Sequence, residues 1–141
     1  MVGKCAAWLA IAVSVLLAVS GCSKSEVVQV DPGTEFSLSV GQVGVLTGED
    51  IQIEFVEVIS DSRCPTGATC IWAGEASCLI EITDDASTYS KVLTQPGHST
   101  PSTTDYAEYE IAYDILPYPE LGKEIETKEY RLQLTITVKP A

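Results

Sequence analysis

The sequence predicts an all-β fold: a small antiparallel β-sandwich of immunoglobulin-like size, with about six to eight strands, behind an N-terminal signal helix. Three observations carry that expectation. Apolar and polar residues alternate with a period of two through most of the chain, and past the first twenty-odd residues no useful stretch follows a helical period. Turn signals at Gly48-Glu49-Asp50, Asp84-Asp85 and Leu121-Gly122-Lys123 cut the alternation into short segments. The 141 residues, 45% of them hydrophobic, supply one packed core and not two. A small antiparallel barrel is the alternative arrangement of the same strands.

Taken in order, Phe36, Leu38 and Val40, then Val43 and Val45, suggest a leading pair of strands around Gly41-Gln42. Ile51, Ile53 and Phe55 open a third strand, but Val56 and Val58 continue the apolar set on the opposite parity, which predicts a bulge or a switch between sheets near Phe55-Val56. Ala76, Cys78, Ile80 and Ile82 make a fourth inward face, and Lys91 to Thr94 add a short strand. Gln95 to Thr104, rich in Pro, Ser and Thr, reads as an exposed mobile loop. Tyr109, Ile111, Tyr113 and Ile115 define an amphipathic strand stopped by Pro117 and Pro119, which cannot donate to a ladder. Tyr130, Leu132, Leu134, Ile136 and Val138 form the cleanest strand, one face buried and one wet.

Residues 1–21 are a secretory leader: Lys4, an apolar run from Ala6 to Val19 broken only by Ser14, then Ser20-Gly21. The run is too short to span a bilayer comfortably. Leu17-Ala18-Val19-Ser20-Gly21-Cys22 resembles the lipobox of bacterial lipoproteins. That resemblance implies cleavage before Cys22 and acylation of Cys22 by diacylglycerol and a further fatty acid such as palmitate, and two or three acyl chains anchor stably where one does not. The expected location is the cell envelope, on the extracytoplasmic side: the outer membrane of a two-membrane cell, where Ser23 favours the outer route, or the cell membrane of a one-membrane cell. Residues 22–33 read as a lipidated flexible tether ending at Pro32-Gly33, which lifts a single domain, 34–141, off the bilayer.

Charge narrows the partners. The formal net charge is −12, and once Lys4 leaves with the leader 7 basic residues face 20 acidic ones. No Lys/Arg cluster exists to neutralise a phosphate backbone, so nucleic acid is excluded as a partner, and long-range attraction to anionic lipid is equally unfavoured. Membrane lipid, through acylated Cys22, and an envelope or extracellular protein remain.

The most informative stretch runs from Asp61 to Ala76. Cys64 and Cys70 flank five residues that include Pro65 and Gly67, a turn able to bring two Cα atoms within disulfide range, and in an exported chain the oxidised pair is the default. Three cysteines, with Cys78, permit three pairings, and the short loop is preferred; Cys78 then sits inward as a buried thiol. Asp61 and Arg63 fall on one side of an extended segment, where they form a polar brace or offer Arg63 to a ligand. Trp72 is a core plug by its parity with Ala76, Cys78 and Ile80, or an exposed recognition aromatic if Gly74 introduces a bulge. Asp61, Arg63, Trp72 and Glu75 are the candidate binding rim. Asp61-Ser62-Arg63-Cys64-Pro65 followed by Cys70-Ile71-Trp72-Ala73-Gly74 resembles a signature of uncharacterised small secreted and lipoprotein β domains, in which it joins two strands; Leu116-Pro117-Tyr118-Pro119 before the last strand is similar to them as well. The resemblance implies a fold and no activity.

Catalytic groups are not assembled in the sequence. His98 is the only histidine and falls in the Pro/Ser/Thr loop, and no Gly-x-Ser-x-Gly element presents a nucleophile. Cys64, Cys70, Cys78 and His98 lack zinc-site spacing, and no phosphate-binding glycine loop occurs, so no metal or other cofactor is expected. Glu49-Asp50, Asp84-Asp85 and Glu108/Glu110 are carboxylate pairs that 20 acids on a small surface generate by chance. The expectation is therefore a membrane-anchored, non-enzymatic binding module that uses the disulfide-pinned loop. A protease inhibitor built on the same loop, a purely structural envelope component, and a calcium-dependent or carbohydrate-directed domain using the carboxylates are the alternatives.

Overall fold

A computed structural model describes residues 26–85, 87–97 and 101–141. Within them nine strands form two sheets. The first sheet has the order β1(Val27–Val30), β3(Val43–Leu46), β4(Ile51–Asp61), β5(Glu75–Asp84), β6(Thr88–Pro96). The second has β2(Glu35–Ser39), β9(Arg131–Val138), β8(Tyr109–Leu116), β7(Ser102–Tyr106). All pairings are antiparallel except β1 with β3. The fold is an all-β sandwich, and the sheets do not close into the alternative barrel.

Period-two alternation explains the core. Ile51, Ile53 and Phe55 of β4, Ile80 and Ile82 of β5 and Leu93 of β6 face Leu38 of β2, Ile111 and Ile115 of β8 and Leu132, Leu134 and Ile136 of β9, all fully buried. The bulge expected near Phe55-Val56 is present, with a register shift between Phe55 and Glu57, and a second shift lies between Val58 and Ser60. Two one-residue insertions restore the original parity, so Phe55, Val58 and Asp61 lie opposite Ile80, Cys78 and Ala76, and Asp61 is brought round to the core side at the end of the strand.

Four local expectations are corrected. Val27–Val30 is no tether: it pairs with β3 from Val27↔Val43 to Val30↔Leu46, so the folded unit begins before residue 34 and only a few residues separate Cys22 from the sheet. The segments around Gly41-Gln42 are not a hairpin, because β2 pairs with β9 and β3 with β4; the turn crosses between sheets, with Gly41 N–H donating to the Phe55 carbonyl at 2.6 Å. In β3 the buried positions are Gly44 and Leu46, not Val43 and Val45, since Gly44 leaves room for the Phe36 ring, whose Cε2 lies 2.8 Å from where a Cβ would be. The strand expected at Lys91 to Thr94 extends to Pro96, and Ser102–Tyr106 pairs with β8, so five of the seven described residues between 95 and 104 are strand; Gln95 itself is buried, its amide oxygen accepting from Ile115 N–H at 2.8 Å. His98, the expected leader at 1–21 and Cys22 lie outside the described residues.

Candidate functional site

The sandwich has two unlike ends, and β4 runs from one to the other. At the Ile51 end lie the turns that carry the carboxylate pairs. Glu49, Asp50, Asp84, Asp85 and Glu108, distant in sequence, line one recess with Tyr106 and Tyr109. Tyr109 Oη donates to Glu49 at 2.7 Å and Tyr106 Oη to Asp84 at 2.7 Å. The Glu49 contact, with burial, pushes the Tyr109 hydroxyl up to about 12, and Asp50 beside Asp85 raises the Asp85 carboxyl above the usual carboxylate range. Among the described residues no three His, Cys, Asp or Glu side chains converge as a metal-holding group. The pairs therefore belong to one strongly negative end, a clustering that their separation in sequence concealed.

At the Asp61 end, β4 and β5 continue as an irregular two-stranded loop. Ser62 N–H donates to Glu75 at 2.8 Å and Cys64 N–H to Ala73 at 2.8 Å, which carries the ladder past the ends of the strands. Gly74 sits at φ +68, and a Cβ there would overlap the Ser62 carbonyl, so only glycine lets the two backbones meet. A third segment packs on them: Gly97 N–H donates to the Gly74 carbonyl at 2.8 Å, and a Cβ on Gly97 would overlap the Ala73 carbonyl.

Beyond this base the disulfide joins Cys64 to Cys70 with Cα atoms 5.9 Å apart, the pairing preferred from the sequence. The loop it closes is tied to the segment after β8, Thr66 N–H donating to Pro119 at 2.8 Å and Leu121 N–H to Thr66 at 3.0 Å. Cys78 is buried under the core, and burial pushes its thiol up to about 12.

Arg63 is the fastener of this end. Its side chain is wholly buried; Nε and Nη2 donate to the two oxygens of Asp61 at 2.9 and 2.6 Å, Nη1 to the Ile115 carbonyl at 2.6 Å and Nη2 to the Pro117 carbonyl at 3.0 Å. The guanidinium also lies 4.8 Å from the centroid of the Tyr118 ring, and Tyr130 Oη donates to Asp61 at 3.1 Å. The Leu116–Pro117 peptide beside this cluster is cis. A charge pair at sequence spacing two thus binds one sheet to the other.

The four rim candidates separate accordingly. Asp61 and Arg63 are turned inward and face each other, while Trp72 and Glu75 are on the surface. Trp72 is not a core plug: it is 76% exposed, because the positive φ at Gly74 breaks the alternation that would have linked it to Ala76. Its neighbour Ile71, fully exposed, escaped the sequence reading, although an isoleucine next to a turn cysteine was a visible signal. Leu121, 65% exposed, stands beside the disulfide loop, its Cβ 3.7 Å from where a Gly67 Cβ would be. The three most exposed large apolar side chains of the described residues therefore share one end. No family model, curated protein or solved structure matches the chain.

Proposed function

We propose that this chain is a lipid-anchored extracytoplasmic protein that works as a non-enzymatic contact module, with the apolar tip Ile71-Trp72 and Leu121, which packs by Gly67 of the same disulfide loop, as its working surface. One observation carries the reading. A soluble β domain seldom leaves an Ile and a Trp fully projected unless something covers them, and here they stand on a loop that is rigid from below. Disulfide, glycine packing and the Arg63 clamp hold the tip in one shape, so ordering it on contact costs little.

The anchor is supported by the lipobox-like Leu17-Ala18-Val19-Ser20-Gly21-Cys22, and an oxidising compartment agrees with the Cys64–Cys70 disulfide. The test is photo-crosslinking in intact cells from a probe replacing Ile71, with a matched probe at Thr137, an exposed position of β9. A discrete adduct, to protein or lipid, from position 71 alone is the expected result. Silence at both positions in a chain that remains membrane-bound overturns the tip as a working surface, and unchanged membrane association of Cys22→Ser overturns the anchor.

A further inference from the structure

We infer that the Ile71-Trp72-Leu121 tip seats in the headgroup region of the same bilayer that holds Cys22, so that the domain has a second, non-covalent membrane contact. This rests on the lipid anchor proposed above and names the partner of its working surface.

The first argument is chain length. Because Val27–Val30 is part of the sheet, five residue steps separate Cys22 from Val27, a reach of at most about 18 Å. β4 has 11 residues and is roughly 35 Å long. Val27 lies level with Glu54, so seven residue steps of β4, about 23 Å, extend past it to Asp61; with that end turned to the membrane, the leash is too short to hold it clear.

The second argument is direction. β1 is parallel to β3, and β3 antiparallel to β4, so β1 runs toward the acidic end; Val27 lies beside Val43 and, through it, Glu54, and the chain before it heads from there toward the disulfide end. On the same sheet Val27 and Ile59 also leave about half of their surface open, at 51% and 52%.

The third argument is charge. The acidic end, with Glu49, Asp50, Asp84, Asp85 and Glu108, is repelled by an anionic leaflet. At the disulfide end Asp61 is paired with Arg63, Glu120 with Lys123 at 3.8 Å and Glu126 with Lys128 at 2.6 Å, and Arg131 stands near Glu129. Cations thus offset most of the acids there, with Glu75 and Glu124 in addition, whereas among the described residues no cation lines the acidic recess. Of the two ends, the disulfide end with its apolar tip is therefore the less strongly repelled by an anionic leaflet. An indole with aliphatic neighbours suits that boundary, where the ring is buried among acyl chains while its N–H stays near the headgroups.

Trp72 is its own probe, since the other tryptophan, Trp8, lies in the leader. The mature acylated chain is reconstituted into phosphatidylcholine/phosphatidylglycerol vesicles with bromine on the upper acyl carbons of the lipid, and the acylation of Cys22 is checked by mass. The expected result is a shift of Trp72 emission to shorter wavelength and loss of most of its intensity to the brominated lipid. Trp72→Phe combined with Tyr89→Trp, which moves the indole to the start of β6 toward the acidic end, should give an unquenched signal. Acylated protein that pellets with the vesicles but keeps an unquenched Trp72 overturns the tip contact alone. A discrete protein adduct from position 71 in cells also overturns it, while leaving the tip as a working surface. Absence of acylation and of pelleting overturns the anchor, and this inference with it.

Discussion

Arg63 Nη1 donates to the carbonyl of Ile115 at 2.6 Å, a bond that crosses from the end of one sheet to the end of the other between residues 52 apart in the chain. Its partner Asp61 neutralises the guanidinium in a setting that excludes water, and Tyr130 and Pro117 complete the coordination of the pair. Such a cluster is costly to break from one side only, because the remaining charge is left buried.

Asp61→Ala is therefore expected to lower stability by about 3–5 kcal/mol in urea unfolding. The double replacement Asp61→Leu/Arg63→Met should recover a substantial part of that loss. Equal destabilisation by the single and double variants would show that the hydrogen bonds to Ile115 and Pro117, rather than charge pairing, matter most.

Gly74 and Gly41 both have positive φ, but they differ in their surroundings. Nothing lies near a Cβ at Gly41, whereas one at Gly74 meets the Ser62 backbone. Gly41→Ala should cost only the left-handed penalty of about 1–2 kcal/mol. Gly74→Ala should cost clearly more and should loosen the loop, seen as faster amide exchange at Cys64 and Glu75; equal costs would argue that the backbone moves freely there.

Reduction of Cys64–Cys70 closes off a short-loop constraint worth about 2 kcal/mol by the chain-entropy model, and a Cys64→Ser/Cys70→Ser variant should lose a similar amount. Cys78 should behave differently. With its thiol buried and pushed up to about 12, it should resist a thiol reagent at neutral pH until the domain unfolds. Rapid labelling of Cys78 in the native protein would contradict the packing of β5 against the second sheet.

Alkaline pH should destabilise the fold. Burial, with Asp61 nearby, pushes the Tyr130 hydroxyl up to about 12, and Glu49 does the same to Tyr109. In the unfolded chain each ionises near pH 10, so the stabilisation is complete below about pH 10 and is lost as pH rises toward 12. The urea midpoint should fall across that window, and Tyr130→Phe should flatten the fall.

The tip itself should contribute little to folding. Ile71→Ser and Trp72→Ser, both at exposed positions, are expected to change stability by no more than about 0.5 kcal/mol while weakening vesicle contact. A large loss of stability would mean that these side chains pack on the domain in solution.

Much of the sandwich is written in local pattern. The alternation in Tyr109 to Ile115 and Leu132 to Ile136 becomes the β8–β9 centre of the second sheet, and the parity break at Phe55-Val56 becomes a bulge. Strands with weak alternation were less readable: Val27–Val30 is four residues on an edge, and Ser102–Tyr106 consists of polar residues whose strand state comes from pairing with β8. Such edges depend on a neighbour for half their hydrogen bonds, and the neighbour is remote in sequence.

The sequence by itself determined the all-β class, brought Cys64 within disulfide range of Cys70 and set Asp61 and Arg63 on one side of the chain, because each rests on spacings of a few residues and on the two-residue period of a strand. Only the tertiary structure decided that Arg63 reaches Ile115 and Pro117, that Trp72 points away from the core, and that charge and apolar surface part to opposite ends of β4. Those outcomes depend on two bulges, on a glycine at positive φ and on where distant turns meet, and no short-range pattern encodes the sum of such displacements.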